Sequence, residues 1–451
     1  MWGKILAGAA ITSTLLLTAC GGGGSSSSAP AQPTSKAHFV DNAVIGLRYR
    51  CAGSADFKLT GDQGGLRCPP GQTVSFYVGD ILLGKVTMAA GTSFITPMTL
   101  ATSEGGVDEN IVINIARLLI SLDADQDTDN GIQIDANSHV NTDLVLDFSL
   151  SPANFEAAAG SVLTALTQGV DSGPFALVDE APAGEHLVFG LYLANAGFYE
   201  GTIQRGPDSS SELAFLASRL GTVYGVNRAE SGQYAAAAFD EMQGEYDPFE
   251  TNAGFKIDGD TGATLLLDVN FANGKAEGSS GSEYPTFTAT RKITFDPLMN
   301  IALLEAFNTL TPVAIDLKGD GEYFVLDNDP LNGMFFGTFQ GGTPNAADPT
   351  QQTEYWDINY ADVVSAKNGV LRLIALSTNG YLVELNANFE GEEPVIKTRW
   401  RQLHEGQSGT TSTYEANFDY SNEGPLLLQA MKKAATHEIQ GFEIEQQSSR
   451  F

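Results

Sequence analysis

Many short segments rich in β-forming residues follow one another through the C-terminal half of the chain, and this pattern limits the folds available to it. Turn residues such as Asn273-Gly274 and Asn379-Gly380 separate the segments. The predicted strands are Phe198–Ile203, Leu220–Gly225, Thr264–Phe271, Thr286–Phe295, Tyr323–Asp327, Phe335–Gln340, Tyr355–Tyr360, Val370–Leu376, Tyr381–Leu385, Val395–Trp400 and Thr413–Phe418. So many antiparallel strands need either two stacked sheets or a closed barrel to protect their edges. We therefore predict an antiparallel β-barrel or β-sandwich over residues 196–451, with a last helix over 426–437.

The preceding part of the chain predicts a small β unit followed by helices. The predicted strands are Ala43–Tyr49, Thr73–Val78 and Ile81–Val86, the last two joined as a hairpin. The predicted helices begin at Asp108, at Ser151-Pro152 and near Pro182. The fold class is thus mainly β with a few helices: an α+β module over 38–150, a helical connector over 151–195 and the β-rich domain over 196–451.

The first residues resemble an export signal that ends in a lipid anchor. After Lys4, the uncharged stretch from Ile5 to Ala19 is too short to cross a hydrocarbon core of about 30 Å. The sequence Leu17-Thr18-Ala19-Cys20 resembles the lipobox of Gram-negative bacterial lipoproteins. That resemblance implies a signal peptide over 1–19, with diacylglycerol and a fatty acyl chain such as palmitate on Cys20. Gly21, where retained lipoproteins carry Asp, implies sorting to the cell outer membrane.

Residues 20–37 form the predicted tether, made almost wholly of Gly, Ser, Ala, Pro, Gln and Thr. It would hold a folded body close to the membrane and leave it free to turn. The folded part that follows the tether carries a second resemblance. The segments concerned are Val44-Ile45-Gly46-Leu47-Arg48-Tyr49, Pro70-Gly71-Gln72-Thr73-Val74-Ser75-Phe76, Ile95-Thr96-Pro97 and Asn114-Ile115-Ala116-Arg117-Leu118-Leu119. These segments resemble β/helix modules of adhesin-like surface proteins and lipoproteins. The resemblance covers about a third of the chain and implies a location more than an activity.

Two cysteines remain after Cys20, and they predict a disulfide. In an oxidising periplasm, Cys51 and Cys68 would most simply pair with each other. A redox or metal pair is the alternative, but the spacing is not CxxC and no histidine lies nearby in the sequence. Closing a loop of this length stabilises a fold by about 3 kcal/mol on the chain-entropy model.

Alternating acidic residues follow the helix that begins at Asp108. The candidate ligands of a metal ion there are Asp123, Asp125, Asp127, Asp129 and Asn130. The first three match positions 1, 3 and 5 of an EF-hand loop, whereas Thr128 and Ile134 replace the Gly and Glu expected at positions 6 and 12. Carboxylates at a helix C-terminus repel one another unless a cation or water screens them. The segment is either a solvated acidic turn or a Ca²⁺ site, and no cofactor is required.

The net charge and the motifs that the sequence lacks limit the classes of function that we predict. With 24 Lys and Arg against 55 Asp and Glu, the net charge of −31 excludes a nucleic-acid partner. The chain has no Gly-x-Ser-x-Gly, His-Glu-x-x-His, P-loop or Gly-x-Gly-x-x-Gly pattern, and its five histidines are scattered, so we do not predict an enzyme or catalytic residues.

We expect a membrane-anchored lipoprotein of the cell envelope, more consistent with the outer than the inner membrane, that acts as a non-enzymatic binding or adhesin-like surface protein. Its partners would be the bilayer, through acylated Cys20, and a protein, glycan or apolar ligand. The alternative is a periplasm-facing carrier of a lipid or hydrocarbon inside a C-terminal β-barrel. The aromatic residues that suggest the carrier are Phe335, Phe336, Phe339, Tyr355 and Trp356.

Overall fold

A computed structural model describes most of the chain after residue 33. The described residues are 34–88, 92–103, 106–139, 143–219, 221, 223–228, 234–238, 253–258, 264–272, 274–299, 313–316, 323–328, 338–345, 348–377, 380–388, 390, 395–403 and 412–415. The predicted signal peptide, Cys20 and most of the tether lie outside them. So do the predicted helix over 426–437 and the pair Phe335 and Phe336.

Small β-sheets form the first part of the described chain. One contains β1 (Ser35–Phe39), β5 (Gly65–Cys68) and β8 (Thr92–Ile95), in the order β5-β1-β8. A second contains β3 (Arg48–Cys51), β4 (Lys58–Leu59), β6 (Thr73–Val78) and β7 (Ile81–Thr87), in the order β4-β3-β6-β7. Two strand pairs complete this part: β2 (Val44–Ile45) with β11 (Ile132–Gln133), and β9 (Thr102–Ser103) with β10 (Gly106–Val107). The predicted hairpin is β6 and β7.

The predicted strand over 43–49 is interrupted, so that β2 and β3 belong to different sheets. Gly46 lies between them with a φ of +80°, and a Cβ atom on it would lie 2.4 Å from the carbonyl oxygen of Ile134. Only glycine fits this turn without strain. The Thr60 hydroxyl stabilises the break, because it donates to the Val44 carbonyl and accepts from the Leu47 N–H.

Helices pack against these sheets in shared buried clusters. They are α1 (Pro97–Ala101), α2 (Glu109–Ser121), α3 (Pro152–Thr167) and α4 (Glu180–Asn195). Asp108 caps α2 by accepting a hydrogen bond from the Ile111 N–H at 3.2 Å. From Val112 onward every residue of α2 is buried, including Arg117, which donates to the carbonyls of Pro152 and Val178. The buried helix thereby connects to the first residue of α3 and to the segment that follows α3.

Two antiparallel sheets, each of eight described strands, follow α4. The first contains β12 (Gly197–Gly206), β13 (Ser209–Ala217), β14 (Val223–Arg228), β15 (Tyr234–Ala238), β16 (Ala253–Asp258), β17 (Thr264–Ala272), β18 (Lys275–Ser279) and β19 (Thr286–Thr294), in the order β15-β14-β13-β12-β19-β18-β17-β16. The second contains, in sequence order, β20 (Val313–Asp316), β21 (Tyr323–Asn328), β22 (Thr338–Asn345), β23 (Asp348–Lys367), β24 (Val370–Ser377), β25 (Tyr381–Asn388), β26 (Val395–Gln402) and β27 (Ser412–Glu415).

The two large sheets pack face to face. Phe198, Leu216 and Val226 of the first sheet share a buried cluster with Ile374 and Leu376 of the second. The end strands of the first sheet, β15 and β16, approach within 8 Å between Cα atoms but do not pair as a ladder. The mainly β prediction is confirmed, and the packing is compatible with a sandwich. Among the described strands no closed barrel is found.

Candidate functional site

The acidic segment forms a loop that is closed at its base and lies between α2 and β11. After α2 ends at Ser121, Asp123 forms a β-bridge with Ile134, which brings the two ends of the loop together. Near the second end, Gly131 has a φ of +94°, and a Cβ atom there would lie 2.9 Å from the Ala43 carbonyl oxygen. The loop is therefore held tightly against the chain beside β2.

Asp123 differs from the other acidic residues of the loop because its side chain is fully buried. Its Oδ1 accepts a hydrogen bond from the Gln133 N–H at 2.8 Å. Its Oδ2 is buried and has no hydrogen-bond partner among the described residues. Burial, reinforced by the neighbouring Asp125 carboxylate, raises the pKa of Asp123 to about 7. A buried carboxylate with one unsatisfied oxygen is a group that a bound cation would stabilise.

Asp125 and Asp127 are exposed and accept hydrogen bonds from the loop itself. Asp125 accepts from the Asp127 N–H at 3.1 Å and from the Asn130 side-chain amide at 2.9 Å. Asp127 accepts from the Asp129 N–H at 3.2 Å. The Gln133 amide also donates to the Asn130 side-chain oxygen at 2.8 Å. These short-range bonds turn the loop through successive Asx turns, which occur both in solvated turns and in calcium loops.

The structure thus brings some of the predicted ligands together. Asp123 and Asp125 interact directly, and Asn130 contacts Asp125. Among the described residues, no three carboxylate, imidazole or thiol groups are grouped so that they could hold a metal ion. Asp127 and Asp129 therefore do not complete a set of carboxylates with the first two, and the calcium site stays a prediction.

The predicted cysteine pair connects two of the small sheets. Cys51 ends β3 and Cys68 ends β5, and their Cα atoms lie 5.8 Å apart in a disulfide. Both side chains are buried in the core that the sheets share. The predicted disulfide is confirmed, and it covalently joins the sheet β5-β1-β8 to the sheet β4-β3-β6-β7.

A buried Asp–His pair is one feature that the sequence analysis did not find. Asp41 lies fully buried after β1, and its Oδ1 is 3.2 Å from Nδ1 of His186 on α4. The pair could not be predicted from the sequence, because the two residues are 145 positions apart and no local pattern connects them. The pair joins α4 to the first strands of the chain.

A buried ion pair holds the two large sheets together and was also missed. Arg219, just after β13, lies 3.3 Å from the Asp362 carboxylate on β23 and donates to carbonyl groups of Asp296, Val363 and Val364. Burial raises the pKa of Asp362 to about 6, although the Arg219 charge opposes that rise. An arginine with so many backbone acceptors acts as a connector between sheets.

Fold and site together define a mainly β protein with a disulfide-linked N-terminal part and a closed acidic loop. No family model, curated protein or solved structure matches the chain. Within the described residues, no helix has both the length and the apolar character needed to span a bilayer.

Proposed function

We propose that the protein is an exported, lipid-anchored binding protein of the cell envelope, without a catalytic role. The observation that carries the proposal is the buried disulfide between Cys51 and Cys68, because structural disulfides persist in exported proteins and are rare in a reducing cytosol. It supports the export that the Leu17-Thr18-Ala19-Cys20 sequence implies. The acyl chains on Cys20 would anchor the protein in the outer membrane.

Fractionation of a Gram-negative host tests the anchor. The wild-type protein should incorporate labelled palmitate and sediment with the membranes, whereas Cys20→Ser should do neither. A variant with Cys51→Ala and Cys68→Ala is the matched control, since it removes two cysteines and should keep the label. Wild-type protein that carries no label would refute the proposal, as would label that persists in Cys20→Ser.

Side-chain packing favours a binding surface over the alternative of an apolar carrier. On the face of the first large sheet turned away from the second, Tyr199 and Phe215 stack with ring centres 4.8 Å apart. Phe271 and Phe287 pack edge-on against Phe215, at 6.3 and 6.1 Å. These rings fill the space that an apolar ligand would need on this face. Because the acyl chains on Cys20 are covalently bound and stay with the protein, extraction of the purified protein with organic solvent should release no apolar molecule in stoichiometric amount, and release of one would support the carrier instead.

The proposal includes a second part, which is that the protein binds Ca²⁺ at the loop over 123–131. Asp123 supports this part of the proposal, because its buried Oδ2 would gain a cation as its partner, and the Asp125 carboxylate beside it would supply further oxygen ligands. Calcium should raise the melting temperature of chelator-treated wild-type protein but not that of Asp125→Ala. Asp80→Ala, which removes an exposed acid from the β6–β7 turn, is the matched control and should respond like the wild type. An equal calcium response in wild type and Asp125→Ala would refute the site.

A further inference from the structure

One face of the sheet β4-β3-β6-β7 is turned away from the core and carries an ordered set of side chains. Strand pairing places Arg48 opposite Leu59 on one side and opposite Tyr77 on the other, and Tyr77 opposite Leu82. In the next row Arg50 lies opposite Ser75, which lies opposite Lys85. Residues that pair across strands share a face of the sheet. We call this surface, completed by Phe57, the outer face.

Stacking holds the two arginines of the outer face in place. The Arg48 guanidinium carbon lies 3.8 Å from the centre of the Phe57 ring, and that of Arg50 lies 4.8 Å from the same ring. Phe57 in turn packs edge-on against Tyr77 at 5.2 Å, and Arg50 donates to the Tyr77 hydroxyl. The Arg48 guanidinium also donates to the Gly79 carbonyl at 3.2 Å, so it is held by the sheet itself, whereas the N–H groups of Arg50 that do not bond to Tyr77 can bind an anion.

Apolar side chains flank these cations and remain open to solvent. Leu59 is 51% exposed and Leu82 is 40% exposed, and they lie at opposite ends of the row that contains Arg48 and Tyr77. Large apolar side chains with this much exposure are few among the described residues. Because the two leucines lie on both sides of Arg48 and Tyr77, the outer face has an exposed apolar surface that a flat ligand can contact.

The charge of the outer face is opposite to that of the whole molecule. The chain carries a net charge of −31, yet Arg48, Arg50 and Lys85 gather here, while Asp56 and Asp80 lie only at the adjoining turns. Within the described residues, neither Arg50 nor Lys85 has a carboxylate within salt-bridge distance. The two residues are separated by two strand spacings, roughly 10 Å. Cations without acidic neighbours attract anionic ligands.

We propose that the outer face binds an acidic polysaccharide, with carboxylate groups held by Arg50 and Lys85 and sugar rings lying on Tyr77 and the exposed leucines. The inference rests on the proposed function of an exported binding protein and names its ligand class. Aromatic and apolar side chains pack against the C–H faces of sugar rings, while guanidinium and ammonium groups pair with their carboxylates. An acidic peptide is less suitable, because extended peptides pair with strand edges rather than lie on a sheet face.

Binding of oligogalacturonate to the intact protein in neutral detergent tests this proposal, with neutral dextran and polyglutamate as comparison probes. Thermophoresis should show saturable binding of oligogalacturonate that weakens at least tenfold in a variant with Arg50→Gln and Lys85→Gln. The matched control is Lys275→Gln with Lys292→Gln, which removes two exposed cations from β18 and β19 and should change the affinity less than twofold. The single variant Phe57→Ala should also weaken oligogalacturonate binding, because it removes the ring that holds Arg50 in place.

Several outcomes would overturn the proposal. They are absence of binding to the wild type, equal losses in the two double variants, or equally tight binding of dextran. Polyglutamate that binds more tightly than oligogalacturonate through the same residues would identify an acidic peptide as the partner instead. Circular dichroism of each variant separates loss of binding from loss of fold. The binding assay does not depend on acylation. Absence of oligogalacturonate binding would therefore not contradict the proposed lipid anchor at Cys20, and absence of label on Cys20 would not contradict binding by the outer face.

Discussion

Replacing Asp123 by Asn tests whether the acidic loop contains a buried charge that costs stability until a cation binds. Burial raises the pKa of Asp123 from 3.8 to about 7. Since one pKa unit corresponds to about 1.4 kcal/mol, the full rise is worth about 4 kcal/mol. The loop borders solvent, which screens the charge, so we expect about half of this, roughly 2 kcal/mol, as the net cost.

The sign of the effect follows from proton linkage. The native state binds the Asp123 proton more tightly than the unfolded chain does, so this residue costs nothing below about pH 4. Its cost grows as the pH rises through the native pKa of about 7 and is complete above it. Asn keeps the oxygen that accepts from the Gln133 N–H, and its amide can donate to Asp125, so the substitution removes the charge without leaving a polar group unpaired.

Urea unfolding followed by tryptophan fluorescence measures the difference. In chelator at pH 8, Asp123→Asn should be more stable than the wild type by about 2 kcal/mol, and the difference should shrink towards zero as the pH falls to about 4. Millimolar calcium should stabilise the wild type and leave Asp123→Asn unchanged. A variant that is less stable than the wild type at pH 8 in chelator, or that responds to calcium like the wild type, would refute the reasoning.

Three further substitutions test the packing by urea unfolding. Replacing both Cys51 and Cys68 by Ala should lower the free energy of unfolding by about 3 kcal/mol, because the disulfide closes a loop between residues 17 positions apart. A reducing agent should not destabilise this variant further. If reduction lowers the stability of the wild type by clearly less than about 3 kcal/mol, the predicted contribution of the disulfide is wrong. Arg219→Met should cost about 3–5 kcal/mol by leaving a buried carboxylate unpaired, and a loss below 1 kcal/mol would argue against the inter-sheet connection. Gly278→Ala should cost about 1–3 kcal/mol, because its Cβ atom would overlap the Phe287 ring, and an unchanged midpoint would count against the tight aromatic packing.

Local patterns predicted much of the fold. Alternation over Thr73–Val78 and the Gly79-Asp80 turn identify a hairpin, and β24 and β25 lie on both sides of the predicted Asn379-Gly380 turn. The strand β13 was missed. Gly206-Pro207-Asp208 is a turn signal before β13, but the strand begins with three serines and continues as Glu212-Leu213-Ala214-Phe215 without alternation, and its conformation depends on the ladders with β12 and β14.

The candidate site shows the same division between local and long-range information. The position of the acidic loop after α2 could be predicted because carboxylate spacing and the end of a helical pattern are local features. Which carboxylate is buried could not be predicted, because Asp123 is covered by parts of the chain that fold back through β2 and β11. The same applies to Arg219 and Asp362, whose positions differ by 143 residues. Pairing at that distance depends on how sheets stack, which composition and spacing do not specify.

The central claim is that Cys20 is the lipid-modified first residue of the mature protein, and mass spectrometry of the N-terminal peptide tests it most directly. The peptide purified from membranes of a Gram-negative host should begin at Cys20 and carry the mass of a diacylglyceryl group and an amide-linked acyl chain. A mature N-terminus at another residue, or an unmodified Cys20, would contradict the account.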